Sequence, residues 1–294
     1  MTQIITGKTE LLGVIGDPVR HSFSPIMHNA ALGDLGANYV YVAFPIKTAD
    51  LSTAIEGLRA IDVQGFNVTI PHKQGIMPLL QSITPEAAAV GAVNTVWRTD
   101  QGWAGTNTDV RGFLEPLQEV AATARANVVI LGNGGAARAV VAACSQWEVP
   151  SINVVGRNPK KLEQFHNSWR MSPMPALSVH TWDTLQTLLP RAELVVNTTP
   201  VGMSPAGISP LSEAEMDMLP SNAIVYDLIY NPAPTKLLHM ATARELKTLD
   251  GLEMLIRQGA AALEIWLQQP APIDMMRQAL KQHLGHPLSG DPIS

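Results

Sequence analysis

The most informative stretch of this sequence is Val128-Val129-Ile130-Leu131-Gly132-Asn133-Gly134-Gly135-Ala136-Ala137-Arg138. The four apolar residues predict a buried strand, and a helical pattern follows from Arg138. The turn between them has the spacing G-x-G-x-x-A, in which the first glycine permits a tight turn and the second lets the backbone approach a pyrophosphate. A bare structural turn also favours glycine. Because a strand precedes the turn and a helix follows it, we predict a dinucleotide-binding loop at Gly132, Asn133, Gly134, Gly135 and Ala136.

The segment after the next predicted strand indicates which dinucleotide is bound. It reads Gly156-Arg157-Asn158-Pro159-Lys160-Lys161. A fold that binds NAD usually has Asp or Glu here to accept hydrogen bonds from the ribose hydroxyls, and this segment has neither. A solvated basic turn is the plain interpretation of either lysine alone. Arg157 stands directly after the strand, where its planar guanidinium suits a 2′-phosphate, so we predict NADP.

Length and composition bound the class of protein. The chain has 294 residues, enough for two domains, and its 46% hydrophobic and 15% charged residues argue against disorder. The net charge is −5 and the basic residues are scattered, so we predict neither a nucleic-acid nor a membrane partner. Cys144 is the only cysteine, and the start lacks a signal-peptide pattern, which favours a cytoplasmic protein. The eight histidines show no ligand spacing, so no metal is predicted.

Short apolar runs alternate with helical patterns along the chain. The predicted strands are residues 12–15, 39–44, 65–70, 93–98, 128–131, 152–155, 194–197 and 224–227. The predicted helices are residues 25–35, 51–59 and 252–267, with Ser24 as the cap of the first and the last closing the compact part. The alternation in the middle predicts one α/β unit, with a parallel sheet, at residues 110–250. Residues 1–109 plus 251–294 then form the second domain.

Three polar clusters outside that unit are candidates for chemistry, at residues 21–28, 65–73 and 91–109. In the first, Ser22 and Ser24 can bind a carboxylate, although Ser24 can also merely cap a helix. Across the other two, Lys73 and Asp109 offer an ionisable donor and a partner able to orient it. Each alone is more often a surface charge. Together they predict an acid/base pair.

Further motifs follow in a recognisable order. They are Gly16-Asp17-Pro18, Ser22-Phe23-Ser24-Pro25, Asn67-Val68-Thr69-Ile70-Pro71-His72-Lys73, Gly91-Ala92-Val93-Asn94-Thr95, Asn107-Thr108-Asp109, the glycine loop, Asn197-Thr198-Thr199-Pro200-Val201-Gly202-Met203, Asp227-Leu228-Ile229-Tyr230-Asn231-Pro232, and Asp250-Gly251-Leu252-Glu253-Met254-Leu255 before Gln258. On these motifs, from Leu12 to about Leu267, the chain resembles the shikimate dehydrogenase family. The resemblance implies a substrate domain and a Rossmann-type NADP domain flanking a cleft, with C-terminal helices returning to the first domain. It also implies NADP-linked interconversion of 3-dehydroshikimate and shikimate, in aromatic amino acid biosynthesis.

The resemblance assigns roles to the matching residues. Lys73 is the implied catalytic acid/base with Asp109 as its partner, and Ser22, Ser24 and Tyr230 are implied to bind the substrate carboxylate. The implied contacts to the ring hydroxyls and the reacting carbonyl are Asn67, Thr69, Asn94, Asp109 and Gln258. The implied cofactor residues are Gly132 to Ala136, Arg157 and Lys161 for the phosphates, and Thr198, Leu228 and Gly251 along the adenine, ribose and nicotinamide.

The sequence departs from the family pattern at a few positions. Asn133 and Glu253 stand where alanine and glycine are common, and Gly156, Asn158 and Lys161 replace polar or arginine positions.

Two alternatives stay open. One is a relative that acts on quinate with NAD, since the extra hydroxyl of quinate needs room near the two serines; the other is a cofactor-binding regulator without catalysis. Ser22 and Ser24 favour shikimate, and the absence of Asp or Glu after the second cofactor strand favours NADP. The presence of both Lys73 and Asp109 argues against the regulator. A homodimer is a further open alternative.

Overall fold

The computed structural model describes residues 4–121, 127–169, 174, 176–203 and 205–284. Within these residues the chain divides into two compact units. Unit 1 comprises residues 4–88, 92–108 and 256–284, and unit 2 comprises residues 89–91 and 109–255. The chain therefore leaves unit 1 after Thr108 and comes back to it at Ile256. Strands and helices alternate in both units, which confirms the predicted α/β class.

The elements are numbered along the chain. The strands are β1 Glu10–Gly16, β2 Tyr39–Pro45, β3 Gly65–Val68, β4 Ser82–Ile83, β5 Thr95–Thr99, β6 Gly102–Thr106, β7 Asn127–Leu131, β8 Ser151–Gly156, β9 Leu177–Thr181, β10 Leu194–Asn197, β11 Ile224–Asp227 and β12 Lys247–Leu249. The α-helices are α1 Ser24–Asp34, α2 Leu51–Ala60, α3 Pro85–Val90, α4 Asp109–Val120, α5 Gly135–Gln146, α6 Pro159–Asn167, α7 Leu185–Leu188, α8 Glu213–Met216, α9 Lys236–Thr242, α10 Gly251–Leu267 and α11 Ile273–Leu284. Within the described part of the chain, none of these helices is both long enough and apolar enough to cross a membrane.

Unit 1 is built on a mixed sheet of six strands in the order β2-β1-β3-β5-β6-β4. β1 lies parallel to both β2 and β3, whereas β5 runs antiparallel to β3 and β6. The carboxyl ends of β1, β3 and β6 therefore meet the amino end of β5 at one edge of the sheet. Ile15, Phe66 and Val96 form part of the buried apolar core beneath this edge.

Unit 2 is built on a parallel sheet of six strands in the order β12-β11-β10-β7-β8-β9. The strands β7, β8, β10 and β11 are apolar and largely buried, as expected where helices cover both faces of a parallel sheet. Counted within the unit, the strand order is 6-5-4-1-2-3, which is the Rossmann order. The order reverses between β7 and β10, and ligands of such folds bind outside the carboxyl ends of the strands at this switch point.

The predicted elements in these positions are confirmed, with small differences at their ends. β10 and β11 have the predicted bounds, 194–197 and 224–227. The predicted strand at 65–70 ends at Val68, because the amide of His72 donates to the Thr69 carbonyl at 2.9 Å and closes a turn. The predicted strand at 93–98 begins two residues later, at Thr95.

Two predictions about helix ends were wrong. Ser24 is not the cap of α1 but its first residue; Phe23 holds the cap position, and the Ser22 hydroxyl accepts from the Ser24 amide at 3.2 Å. Residues 252–267 do not close the compact part, because α11 follows and packs against α1 within unit 1.

Candidate active site

One edge of the unit 1 sheet gathers the predicted substrate residues of that unit. Ile15 of β1 pairs with Val68 of β3, and Thr69 donates its amide hydrogen to the Ile15 carbonyl at 2.9 Å. The Val68 amide donates to the Asn94 carbonyl at 2.8 Å, which brings the start of β5 to the same edge. The residues concerned are Ser22, Ser24, Asn67, Thr69, Lys73 and Asn94.

Ser22 and Ser24 lie together at the start of α1. Ser24 is buried and its side chain hydrogen-bonds Tyr41, whereas Ser22 is half-buried. Two hydroxyls beside the first turn of an 11-residue helix suit a negatively charged group, because the helix dipole is positive at this end. The pair is therefore a chemically reasonable carboxylate site.

Asn67 is held by three hydrogen bonds within the protein. Its Oδ1 accepts from the Tyr41 hydroxyl at 2.7 Å. Its Nδ2 donates to the Asn94 carbonyl and to Thr95 Oγ1, both at 3.1 Å. Because both amide hydrogens are engaged, Asn67 meets an incoming hydroxyl only as an acceptor, through the second lone pair of Oδ1.

Asn94 joins three segments of unit 1. Its Oδ1 accepts from the Thr108 amide at 2.7 Å, and its Nδ2 donates to Thr108 Oγ1 at 3.0 Å and to Gln258 Oε1 at 3.3 Å. The structure thus brings the predicted residues Asn67, Asn94 and Gln258 together. Since Thr108 directly precedes Asp109, the same cluster fixes the backbone at the point where the chain enters unit 2.

Lys73 lies in the turn after β3 and is half-buried. Its carbonyl accepts from the Val93 amide at 2.8 Å, and the ring of the adjacent His72 is buried with Nε2 at 2.6 Å from the Ile46 carbonyl. These contacts fix the lysine backbone from two sides. Asp109 is buried as the first residue of α4, in unit 2, where the helix dipole favours a carboxylate.

The carboxyl edge of the unit 2 sheet gathers the predicted cofactor residues. Leu131 of β7 pairs with Val155 of β8 and with Asn197 of β10, and Asn197 pairs with Asp227 of β11. Because these positions are in register, the residues that follow them emerge side by side. In spatial order they are Gly156 with Arg157, Gly132, Thr198 and Leu228.

The glycine loop requires glycine at its first position. Gly132 has φ of +103°, and a Cβ there would lie 2.7 Å from Thr198 Oγ1. That hydroxyl donates to the Leu131 carbonyl at 2.7 Å. Gly134 caps α5, and a Cβ at this residue would meet nothing within 4 Å. The first-turn amides of α5 therefore have space for an anion in front of them.

The basic turn after β8 presents its charges to solvent. Arg157 and Lys161 are exposed, while Asn158 accepts from the Lys161 amide at 3.1 Å and caps α6. A Cβ on Gly156 would lie 2.9 Å from Leu162 Cδ2. The departures from the family pattern at Gly156 and Asn158 thus have structural reasons.

Arg138, in the first turns of α5, is turned away from this edge. Its guanidinium is buried over the Trp169 ring, 4.7 Å from the centroid, and donates to the Val90 carbonyl and to Ser168 Oγ. It therefore braces α5 against α6 and is no candidate for a phosphate ligand, despite its place beside the glycine loop.

Leu228 and Gly251 are in direct contact. A Cβ on Gly251 would lie 2.1 Å from the Leu228 carbonyl oxygen, so only glycine permits this approach. Tyr230 follows closely, and burial raises its pKa, which keeps the phenol a hydrogen-bond donor at neutral pH. Glu253 lies in the first turn of α10, where a negative charge is stabilised by the helix dipole. This gives the unexpected glutamate a structural reason.

A buried polar network behind this edge was missed by the sequence reasoning. The Asp227 carboxylate accepts from Asn197 Nδ2 at 2.9 Å, Thr235 Oγ1 at 2.7 Å and the Ile229 amide at 3.2 Å. Asn197 Oδ1 also accepts from Thr199 Oγ1 at 2.7 Å. The signal was the polar residue that ends each of two apolar strands. The network locks the loops that carry Thr198 and Leu228.

This network makes a prediction about stability. Burial raises the pKa of Asp227 to about 6 from an ordinary 3.8, so the protonated form contributes stability that is complete below the ordinary pKa and is lost as the pH rises through about 6. We expect the stability of the wild type, relative to Asp227→Asn, to fall by about 3 kcal/mol over that range, from about 1.4 kcal/mol per pKa unit. Urea unfolding of both proteins across the range measures this difference. Parallel curves for the two proteins would contradict it.

The chain is similar in sequence to known proteins. Residues 14–96 match the model of the shikimate dehydrogenase substrate-binding domain, and residues 251–281 match the shikimate 5′-dehydrogenase C-terminal domain. A relative from Microcystis aeruginosa, named shikimate dehydrogenase (NADP(+)), is 59% identical over 280 residues, which cover 94% of this chain and 98% of the relative.

Solved structures agree over nearly the whole chain. A shikimate dehydrogenase in complex with NADP+ is 39% identical with a TM-score of 0.88, and the match covers 96% of this chain and 98% of the other. The enzyme from Thermus thermophilus in complex with NADP(H) and shikimate is 32% identical with a TM-score of 0.83, covering 93% and 99%. Similarity of this extent shows both fold and family.

Proposed function

Because this chain belongs to the shikimate dehydrogenase family, we propose that it catalyses the reversible reduction of 3-dehydroshikimate to shikimate with NADPH. The observation that carries the proposal is the Rossmann strand order with a glycine loop at its switch point, in the same chain as a sheet edge where Lys73 follows β3 and the amide groups of Asn67, Asn94 and Gln258 are joined by hydrogen bonds. The first feature suits a dinucleotide, and the second suits a polyhydroxylated acid.

The residues at the unit 2 edge fit NADP. The space beyond Gly134 and the first-turn amides of α5 suit the pyrophosphate, and the exposed Arg157 and Lys161 suit the 2′-phosphate. Thr198, Leu228 and Gly251 would lie along the rest of the cofactor. Because Gly251 has no side chain, its backbone can lie against the Leu228 carbonyl. The two residues would then present a flat backbone surface to the cofactor. When bound, NADPH supplies the hydride that the carbonyl carbon of the substrate receives.

The residues at the unit 1 edge bind different groups of the substrate. Ser22 donates to its carboxylate, Ser24 lies beside Ser22 with its hydroxyl bonded to Tyr41, and Tyr230 is a further proposed donor. Asn67 accepts from a ring hydroxyl through Oδ1, and Asn94 and Gln258 stand hydrogen-bonded to each other beside it. Thr69 completes this set; it approaches Gly16 so closely that a Cβ there would lie 2.5 Å from Thr69 Cγ2.

Lys73 and Asp109 are the residues for proton transfer to the oxygen of the reacting carbonyl. As hydride arrives at the carbonyl carbon, negative charge develops on the oxygen, and the Lys73 ammonium stabilises this charge and transfers a proton to it. Asp109 is the proposed acidic partner of Lys73. In the reverse direction the neutral amine of Lys73 takes the hydroxyl proton, so that one residue serves as acid and as base.

Shikimate and NADP are preferred to quinate and NAD for two reasons. The segment after β8 offers Arg157 and no carboxylate to a ribose 2′ position. Two serine hydroxyls, Ser22 and Ser24, stand at the proposed carboxylate site, and shikimate lacks the extra hydroxyl that quinate carries beside its carboxylate. A place in aromatic amino acid biosynthesis follows from the proposed reaction, while the cytoplasmic location and the homodimer stay predictions.

Transfer of a labelled hydride tests the proposal. NADPH that carries deuterium at the transferable position is mixed with 3-dehydroshikimate and the protein, and the product is analysed by mass spectrometry. We expect shikimate that contains one deuterium at the former carbonyl carbon. Unlabelled substrate recovered unchanged, from a folded protein that binds NADPH, would favour the regulator instead.

A further inference from the structure

Tyr41 is held in place by more contacts than its position on an outer strand requires. β2 is the edge strand of its sheet, so the backbone of Tyr41 has no strand on its outer side. The side chain of Asn29 from α1 takes that place: its Oδ1 accepts from the Tyr41 amide at 2.9 Å, and its Nδ2 donates to the Tyr41 carbonyl at 2.8 Å. Asn29 thus makes the two backbone hydrogen bonds that a neighbouring strand would make.

The ring of Tyr41 is fixed as well. It is fully buried and stacks on His28, with ring centroids 4.2 Å apart and planes 10° from parallel. Burial lowers the pKa of His28 to about 3, so the imidazole is neutral, and neither ring nitrogen has a partner among the residues that the structure describes. His28 therefore acts here as a flat packing surface, and its place on α1 ties the tyrosine to the helix that begins with Ser24.

The hydroxyl of Tyr41 joins two of the predicted substrate residues. It donates to Asn67 Oδ1 at 2.7 Å and is also hydrogen-bonded to the Ser24 side chain. Burial raises the pKa of this phenol, so it stays a donor at neutral pH. One buried hydroxyl thus connects α1, which begins at the proposed carboxylate site, with β3, which carries the proposed acceptor for a ring hydroxyl.

We propose that Tyr41 is a positioning residue for substrate binding: its hydroxyl fixes the distance between Ser24 and Asn67 and the orientation of the Asn67 amide. The inference rests on the proposed function, because it concerns the same substrate site. Tyr41 donates to Asn67 Oδ1, and the two hydrogens of Asn67 Nδ2 are donated to Asn94 and Thr95. These bonds exclude the orientation of the Asn67 amide in which its oxygen and nitrogen exchange places. Without the hydroxyl, the amide is free to turn and present a donor where the substrate needs an acceptor.

The test is Tyr41→Phe, which removes one oxygen and keeps the stacked ring. We expect the KM for shikimate to rise by about 10-fold, the effect of one lost hydrogen bond in a preorganised site, with the KM for NADP unchanged. Tyr226→Phe is the matched control. Tyr226 is equally buried, stacks on Phe113 in unit 2, and its hydroxyl has no hydrogen-bond partner in the described part of the chain. This control should keep the KM of the wild type for shikimate.

A purely structural role would lower the thermal midpoint of Tyr41→Phe and leave its KM for shikimate unchanged, and that outcome overturns the proposal. Combining the variant with Asn67→Ala adds a second criterion, because residues that act through one another are non-additive. The increase in KM caused by Tyr41→Phe should be smaller in the Asn67→Ala background; full additivity contradicts the proposal.

Asn29→Ala is the second variant, in case Tyr41→Phe does not fold. It releases the Tyr41 backbone and leaves every predicted ligand residue in place, so we expect a raised KM for shikimate and not for NADP. An unchanged KM for shikimate in folded Asn29→Ala overturns the inference. If the unmodified protein does not oxidise shikimate at all, the proposed function itself has failed, and the two failures are thereby distinguished.

Discussion

Replacing Lys73 with alanine is expected to lower kcat by about 10²- to 10⁴-fold, the usual share of general acid/base catalysis. The reaction must deliver a proton to the oxygen of the reacting carbonyl, and at this edge of unit 1 Lys73 is the side chain assigned to do so. Its backbone is fixed by the Val93 amide and by the neighbouring His72, so the loss should be confined to the side chain. Initial rates at saturating shikimate and NADP measure the effect, and the KM for NADP should remain near that of the wild type.

Two variants sharpen this experiment. Lys8→Ala removes an exposed lysine at the opposite, amino end of β1 and should leave kcat unchanged. Lys73→Arg keeps a positive charge but offers a proton that is almost never released, so it should recover little of the lost activity. A wild-type kcat in folded Lys73→Ala would remove Lys73 from the mechanism.

Replacing Arg157 with alanine is expected to raise the KM for NADP by about 10- to 100-fold, because a charge-assisted hydrogen bond contributes roughly 1.5–3 kcal/mol. Arg157 emerges after β8, next to the glycine loop at the switch point, and it is exposed toward solvent where a 2′-phosphate would lie. NAD has no such phosphate. The KM for NAD should therefore be unaffected, and the ratio of kcat/KM for the two cofactors is the quantity to compare.

Lys160→Ala is the matched control for Arg157→Ala. Lys160 is exposed in the same turn, yet the sequence alone favours a solvated role for it. We expect this variant to change the KM for NADP by less than about 3-fold, the scale of a screened surface charge. Equal effects of Arg157→Ala on NADP and NAD would mean that Arg157 contacts a part common to both cofactors.

The Rossmann half of the fold could be predicted well because its signal is local. The strands at 194–197 and 224–227, each apolar up to one polar residue at its end, are buried on both faces, and the glycine loop after β7 identifies the strand that starts the unit. The order of the strands could not be read in this way. It depends on which neighbours pair, and no residue in β10 specifies β7 over β8.

Other parts were missed because their signals are weak or distant. α11 buries only Met276 and Leu280 of its 12 residues, so its apolar stripe is too narrow to stand out. β12 has three residues, of which none is fully buried. The contacts that hold Asn67 come from Tyr41, 26 residues away, and from Asn94, 27 residues away. Such contacts are created by folding, and the sequence pattern of either partner gives no sign of them.

The most direct test of the central claim is the absorbance of reduced nicotinamide, followed with NADP or NAD and with shikimate or quinate. We predict a rapid rise with NADP and shikimate and much slower rises with the other three combinations. No rise with any combination, from a folded protein that still binds NADP, would contradict the claim that Lys73 and the glycine loop form a working dehydrogenase.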